Sequence, residues 1–431
     1  MTDASDARRD LLLRLLDAAV NAAHPRGCLV PALPPPPAGR LVILGAGKAG
    51  ASMAAVAERH YRETHGLGAD RLVGLAVARH GYGEPAGSIE VIEAGHPVPD
   101  QAGIDATKRS LDLAASAGPD DVVLVLLSGG GSANWIAPAG DLTLAEKQGI
   151  TRALLRSGAP IDEINCVRKH LSRIKGGRLA RAARDASSLL TLAISDVPRD
   201  DPAVIASGPT VPDPTTLADA RAICERRGIA LPPAAAALLA EGGNESPKPG
   251  DPLFAHAEFR IVARPIDALT AAATAARAAG YEPELLGADL EGEAREVAAE
   301  HAAIARARAA EGRRVALISG GELTVTIRGE GQGGPNQEYM LALAVALDGA
   351  PGIAALSADT DGTDGGRGEA TDPAGAIVDE TTLARAAAAG LDPRASLDDN
   401  DSTAFFDRIG DLVRPGPTRT NVNDCRIILV G

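Results

Sequence analysis

A chain of 431 residues is longer than the roughly 250–300 at which one hydrophobic core stops growing, so it is expected to divide into two domains. Its 45% hydrophobic and 23% charged residues exclude wholesale disorder, and a formal net charge of −14 speaks against a nucleic-acid or anionic-membrane surface, since either needs a positive footprint. Aromatic residues make up only 2%, and Ala, Leu, Val and Gly supply most of the apolar content, which suits helices packed closely on strands. Cys28, Cys166, Cys224 and Cys425 form no CxxC pair, so neither a zinc site nor a disulfide framework is indicated. Met1 to Leu13 has no basic segment leading into an apolar one, and no run of about 18 apolar residues occurs. The expectation is a cytoplasmic protein that is neither exported nor membrane-spanning.

Residues 7–23 read as an amphipathic helix, with Leu11, Leu12, Leu15, Leu16 and Ala19 at helical spacing, and the Pro-rich stretch 31–37 then forbids regular structure. Apolar, strand-like runs follow at 40–44, 71–78, 122–127, 189–194, 259–263, 315–319 and 353–357, separated by longer Ala-rich helical patterns. That alternation predicts an α/β fold with parallel sheets flanked by helices. The Gly- and Pro-rich segment 241–252 reads as a linker, which sets the expected domains at 1–247 and 248–431.

Several turns carry candidate chemistry. Gly45-Ala46-Gly47-Lys48-Ala49-Gly50, between a strand and an Ala-rich helix, has the form of the dinucleotide-binding fingerprint. The acidic residue expected to end the second strand and hold a ribose is missing, because that strand ends in Arg79-His80; an NADP-like arginine stays open. Lys48, at a helix start where amides attract anions, points to a carboxylate or phosphate ligand. Ser128-Gly129-Gly130-Gly131-Ser132 follows a fully apolar strand and exposes consecutive amides suited to phosphate oxygens, without the lysine of a P-loop. Asn165 to Arg178 concentrates Arg168, Lys169, Arg173, Lys175 and Arg178 in an otherwise acidic chain. Asp196 ends a strand, where open α/β sheets hold ligands, and is the first metal candidate.

In the second half, Ser319-Gly320-Gly321-Glu322 follows another strand, and the flexible-looking loop Gly329 to Gly334 precedes Pro335-Asn336-Gln337-Glu338 at a helix start. Asp359, Asp361 and Asp364 lie in a Gly-rich segment that lacks the bidentate Glu of a calcium loop, so their carboxylates are expected to face magnesium or a substrate hydroxyl.

In this order, from Gly45 to the ending Thr420-Asn421-Val422-Asn423-Asp424, these segments resemble the MOFRL-family glycerate kinases, also known by the older label hydroxypyruvate reductase, and the resemblance spans nearly the whole chain. It implies a Rossmann-like three-layer α/β/α N-terminal domain, a smaller α/β C-terminal domain and an active site in the cleft between them. It also implies ATP-dependent phosphorylation of D-glycerate to 2-phosphoglycerate by a monomer or homodimer. On that reading, Lys48 with Arg168 or Lys175 binds the glycerate carboxylate or the moving phosphate. The amides of 129–131 and 320–321, with Ser128, Ser132, Glu322 and Asn336, serve the nucleotide phosphates. Asp196 and one of Asp359, Asp361 or Asp364 hold Mg2+, and Glu338 or an Asp accepts the hydroxyl proton. The family pattern has an arginine immediately before Asn-Gln-Glu, where this chain has Pro335; Arg168 and Arg328 are the candidate replacements. The alternatives are an NAD(P)H-dependent hydroxypyruvate reductase, motivated by the fingerprint at 45–50, and a non-catalytic anion-binding protein.

Overall fold

In the computed structural model, which describes residues 2–240 and 242–431, the chain separates into two compact units, residues 29–262 and residues 1–28 with 263–431. The seven expected strands all form, and each unit is built on a six-stranded sheet.

The sheet of unit 29–262 contains β1 (Leu41–Ala46), β2 (Leu72–Arg79), β3 (Glu90–Ala94), β4 (Val122–Leu127), β5 (Ser188–Ile194) and β6 (Ala257–Ala263), in the order β3-β2-β1-β4-β5-β6. β1 to β5 are parallel, with Leu41 opposite both Leu72 and Val122. The apolar runs of β1 and β4 are buried at every position, as strands covered on both faces must be. From β1 the chain moves to β2 and β3 on one side, then returns through helix Gln101–Ala115 to β4 on the other. Right-handed crossovers running in opposite directions place that helix and helix Gly50–His65 on opposite faces of the sheet. The C-terminal ends of β1 and β4 thus flank the topological switch point, where open α/β sheets hold ligands. Leu44, Val125, Trp135, Ile174 and Leu179 belong to one core cluster, while Ile150, Leu154, Val167 and Cys224 unite the flanking helices in another.

The boundary expected at residue 248 is displaced. Residues 242–252 are turn-rich because they form a fastened loop of the first unit, where Ser246, Glu245 and Lys248 bond to residues 170, 213, 215 and 217; the chain changes units only at the end of β6. The amphipathic N-terminal helix Thr2–Ala23 forms as expected, with Leu12, Leu15, Leu16 and Ala19 buried, but it belongs to the C-terminal unit. There it packs on helix Pro265–Ala278, with Arg8 pairing with Glu380 at 2.7 Å and Arg9 with Asp411 at 2.6 Å.

The second sheet contains β7 (Glu282–Leu290), β8 (Val315–Gly321), β9 (Ile353–Asp359), β10 (Gly375–Asp379), β11 (Leu412–Val413) and β12 (Asp424–Val430), in the order β11-β10-β9-β12-β8-β7. Only β7 and β8 pair in parallel; every other neighbour is antiparallel. The expectation of parallel sheets therefore holds for the first unit and fails for the second. Part of the reason is β12, a wholly buried strand inserted between β8 and β9 from the far end of the chain; β10 and β11 then continue the sheet antiparallel. No helix among the described residues is long and apolar enough to cross a membrane.

Candidate functional site

In the first unit, the glycine turn after β1 and the serine-glycine loop after β4 are locked together. Lys48 N donates to Gly129 O at 2.8 Å, and Ala49 N donates to Ser128 Oγ at 2.8 Å. Gly47 N bonds to Val77 O and Gly50 N to Gly47 O. Gly47 has φ of 108°, and a Cβ there would lie 2.4 Å from Ser128 O, so both its conformation and the close approach require glycine. The amides that a dinucleotide pyrophosphate would use at this turn are consequently occupied by the protein itself. Among the described residues, the amides of Gly129 and Gly130 have no hydrogen-bond acceptor.

Gly130, with φ of 84°, carries a neighbour that sequence reasoning missed. A Cβ at this position would meet His96 Cδ2 at 2.9 Å, His96 Nε2 at 3.0 Å and Lys48 Cγ at 3.5 Å. His96 follows β3, and Asn134 Nδ2 holds that turn through Gly95 O at 3.2 Å. The signal was the Gly95-His96-Pro97 turn, invisible as a site because β3 itself had not been foreseen.

The basic segment divides into structural and available cations. Lys169 pairs with buried Asp213 at 3.5 Å, His170 Nε2 contacts Glu245 Oε1 at 3.0 Å, and Arg178 donates to Lys169 O and Asn244 O. Lys175 is wholly buried, its Nζ donating to Ser132 O at 2.7 Å, while Ser132 Oγ and Ser207 Oγ share a 2.8 Å hydrogen bond. Burial, then Arg168, then Lys147 hold the Lys175 ammonium well below its ordinary pKa. Buried Lys147, to which sequence reasoning assigned no role, donates to Leu171 O and Arg168 O. Arg168 is half-buried beside these two lysines, and its guanidinium has no hydrogen-bond or ion-pair partner among the described residues. Clustered buried cations without a carboxylate are what an anionic ligand would complete. Asp196 lies half-buried just beyond β5.

Glu245 yields a stability test. Burial pushes its carboxyl up, but hydrogen bonds from Lys248, the Leu217 amide and His170 outweigh this and hold it at about 2, below the ordinary 4.5. A depressed folded pKa stabilises the fold above about pH 4.5, and that contribution disappears as pH falls through about 2. Glu245→Gln is expected to lower the melting temperature at pH 7, with the gap to the parent narrowing progressively below pH 4.5; a gap independent of pH would contradict this.

In the second unit, several expected ligand contacts turn out to be structural. Gly320 and Gly321 are not a free loop but the last residues of β8, and their carbonyls accept from Arg426, which is 1% exposed. Arg426 also donates to Asp424 Oδ2 at 2.7 Å. Asn336 is buried, donating to Asp364 and Asp424 and accepting from Ser357 Oγ, so its capacity is used internally. Glu338, expected as a proton acceptor, is 1% exposed and takes hydrogen bonds from Arg295 at 2.5 Å and Asn400 at 3.3 Å. Asp364, expected as a metal ligand, accepts four N–H groups, from the backbone and side-chain amides of Asn336 and Gln337 at 2.9–3.2 Å. Burial, opposed by those donors and reinforced by Asp424, raises its carboxyl to about 7.

Pro335 is the first residue of helix Pro335–Leu347, where a missing N–H costs nothing. The loop 329–334, expected to be flexible, is fastened: Asn400 Oδ1 accepts from Arg328 N and Gly329 N, and Asp399 and Asp401 accept from Glu330 N and Gln332 N. Glu322 and Arg328 are exposed. Asp359 Oδ1 accepts from Asp361 N, and Asp361 Oδ1 from Thr363 N. Among the described residues, no group of three or more His, Cys, Asp or Glu is arranged to hold a metal.

Fold and site together define an α/β protein with a cluster of cations beside the glycine loop at its switch point. Residues 11–240 match a domain family of unknown function, DUF4147, and residues 315–424 match the MOFRL family. A protein of Agrobacterium vitis, provisionally named a hydroxypyruvate reductase, is 51% identical over 98% of this chain and 94% of its own. The D-glycerate 2-kinase of Thermotoga maritima is 37% identical over 99% of each chain. A crystal structure of glycerate kinase from Thermotoga maritima superposes with a TM-score of 0.87, covering 99% of this chain and 100% of that one. The chain belongs to the MOFRL family that contains these glycerate kinases.

Proposed function

We propose that this chain is an ATP-dependent glycerate 2-kinase, transferring the γ-phosphoryl group of ATP to D-glycerate and releasing 2-phosphoglycerate and ADP. The observation that carries the reading is the Arg168 guanidinium, without a partner among the described residues, beside Lys175 and Lys147 and close to a loop whose Gly129 and Gly130 amides no described residue takes. Phosphoryl transfer asks little covalent chemistry of a protein; alignment and neutralisation of the moving charge supply most of the acceleration. Arg168 and Lys175 bind the glycerate carboxylate or the transferring phosphoryl oxygens, Lys48 extends the same cationic group, and the Gly129–Gly130 amides receive phosphate oxygens.

Magnesium is part of this proposal as the companion of ATP. Mg2+ is normally held by one or two carboxylates together with substrate phosphates and waters, so a protein cage is not required. Asp196, Asp359 and Asp361 supply hard oxygen donors of that kind, whereas Asp364, saturated by four N–H donors, does not fit. When bound, the ion would supply charge neutralisation at the phosphates. A small-molecule enzyme acting in the cytoplasm, as a monomer or homodimer, completes the proposal.

The hydroxypyruvate reductase reading is favoured by the name of the Agrobacterium vitis relative. It meets an obstacle in the occupied amides of 47–50 and in β2 ending at Arg79 without an acidic residue to hold a ribose. Purified protein with ATP, Mg2+ and D-glycerate is expected to release ADP and 2-phosphoglycerate, and with NADH and hydroxypyruvate to leave the NADH absorbance unchanged. Rapid NADH oxidation without ADP formation would reverse the assignment.

A further inference from the structure

We infer that Ser207 is a positioning residue of the anion site, aiming the Ser132 hydroxyl at a carboxylate or phosphoryl oxygen of the substrate; the inference rests on the kinase reading above. Ser207 lies in the segment after β5, 75 positions from Ser132, and is fully buried. The two hydroxyls share one 2.8 Å hydrogen bond, and neither makes another among the described residues. Two hydroxyls carry two hydrogens, and one bond between them uses only one. A buried hydroxyl hydrogen without an acceptor is costly, so Ser207, the fully buried member, is the one that donates. Ser132 is half-buried, and its own hydrogen is left for a ligand.

Both members of this pair are tied to the cation cluster. Ser132 O accepts from Lys175 Nζ at 2.7 Å, and Arg168 and Lys147 act electrostatically on that ammonium. Ser207 O accepts from Gly176 N at 3.1 Å, and Gly208 O accepts from Gly177 N at 2.8 Å, so the turn that carries Lys175 hangs on the same segment. The two segments also approach closely: a Cβ at Gly131 would lie 3.0 Å from Ala206 Cβ. Ser207, the Lys175 turn and Ser132 thus close a ring of hydrogen bonds that holds the Ser132 side chain beside the cations, the preorganisation that binding a reacting anion requires.

The backbone conformation supports a task for the side chain. Ala206 and Ser207 have φ of 50° and 62°, a left-handed conformation unusual for residues with a Cβ. Glycine adopts it without strain, and the next residue, with φ of 60°, is Gly208. The backbone bond from Gly176 would survive a glycine at 207, so what the serine adds at this strained position is its hydroxyl alone.

The experiment measures ADP formation with ATP, Mg2+ and D-glycerate, and the melting temperature, for the full-length parent, Ser207→Gly, Ser132→Ala and the double variant. Ser207→Gly is expected to lower kcat/KM about 10- to 100-fold while its melting temperature stays at or above the parent's. In the Ser132→Ala background the same change is expected to have little further effect, because no hydroxyl is left to aim. A rise in KM for D-glycerate identifies the carboxylate as the group received; a fall in kcat or a rise in KM for ATP identifies the phosphoryl group. Near-parental kinetics in Ser207→Gly overturn the inference and leave the kinase reading standing. Losses that add independently in the double variant, or that come with a lowered melting temperature, do the same. Calorimetric titration of these proteins with inorganic phosphate needs no turnover. If the parent forms no ADP, the kinase reading falls, and the inference survives it only if Ser207→Gly weakens phosphate binding about tenfold or more.

Discussion

Arg168→Ala is expected to lower kcat/KM for glycerate-dependent ADP formation by about 100- to 1,000-fold, a loss of roughly 3–4 kcal/mol of transition-state stabilisation. The size of the effect follows from its surroundings. Its guanidinium has no carboxylate partner among the described residues, and it acts electrostatically on the like-charged Lys147 and Lys175. In the free protein that arrangement is a source of repulsion, so its removal should leave the melting temperature unchanged or raise it slightly. A structural arginine would behave the other way, losing stability on truncation. Steady-state kinetics together with thermal unfolding separate the two, and near-normal turnover in folded Arg168→Ala would make this residue a bystander.

Arg426→Met is expected to destabilise the protein by about 3–5 kcal/mol, the largest single stability loss proposed, because it strands a buried carboxylate. Arg426 is 1% exposed and answers Asp424 Oδ2, Ser319 Oγ and the carbonyls of Gly320 and Gly321 at once. Methionine fills much of the volume yet offers none of those hydrogen bonds. Adding Asp424→Asn should recover part of the loss, since it removes the stranded charge while still accepting from Asn336. Denaturant unfolding of the single and double variants measures this; a single variant within about 1 kcal/mol of the parent would show that the buried pair matters little.

Local pattern made much of the architecture legible. β1 and β4 are apolar at every position, a signature that needs no partner to be recognised, and the Leu11-Leu12-Leu15-Leu16 spacing revealed the first helix. What stayed hidden depended on partners distant in sequence. The fingerprint at 45–50 looks free until Ser128 and Gly129 take its amides from some 80 positions away. Lys169 and Arg168 are adjacent in the sequence, yet Asp213 claims one and no described residue claims the other. Asn336 and Glu338 have the composition of ligand residues, but Asp364, Asp424 and Arg295 turn them into scaffolding. His96 and Lys147 carried no motif at all, and only the fold brings one to Gly130 and the other under Arg168.

The first helix packs with residues that follow position 262, and this has a consequence for how the protein is made. On the ribosome, helix Thr2–Ala23 emerges well before its packing partner Pro265–Ala278, which follows some 240 residues later. At translation speeds of about 5–20 residues per second that interval is roughly 10–50 s. Residues 29–262 can close their own sheet during this time, but Leu12, Leu15 and Leu16 stay exposed until the C-terminal half arrives. The nascent chain thus carries an apolar stripe throughout that interval, a natural target for chaperones that bind unfolded segments, and the first helix docks only after residues beyond 262 have been made.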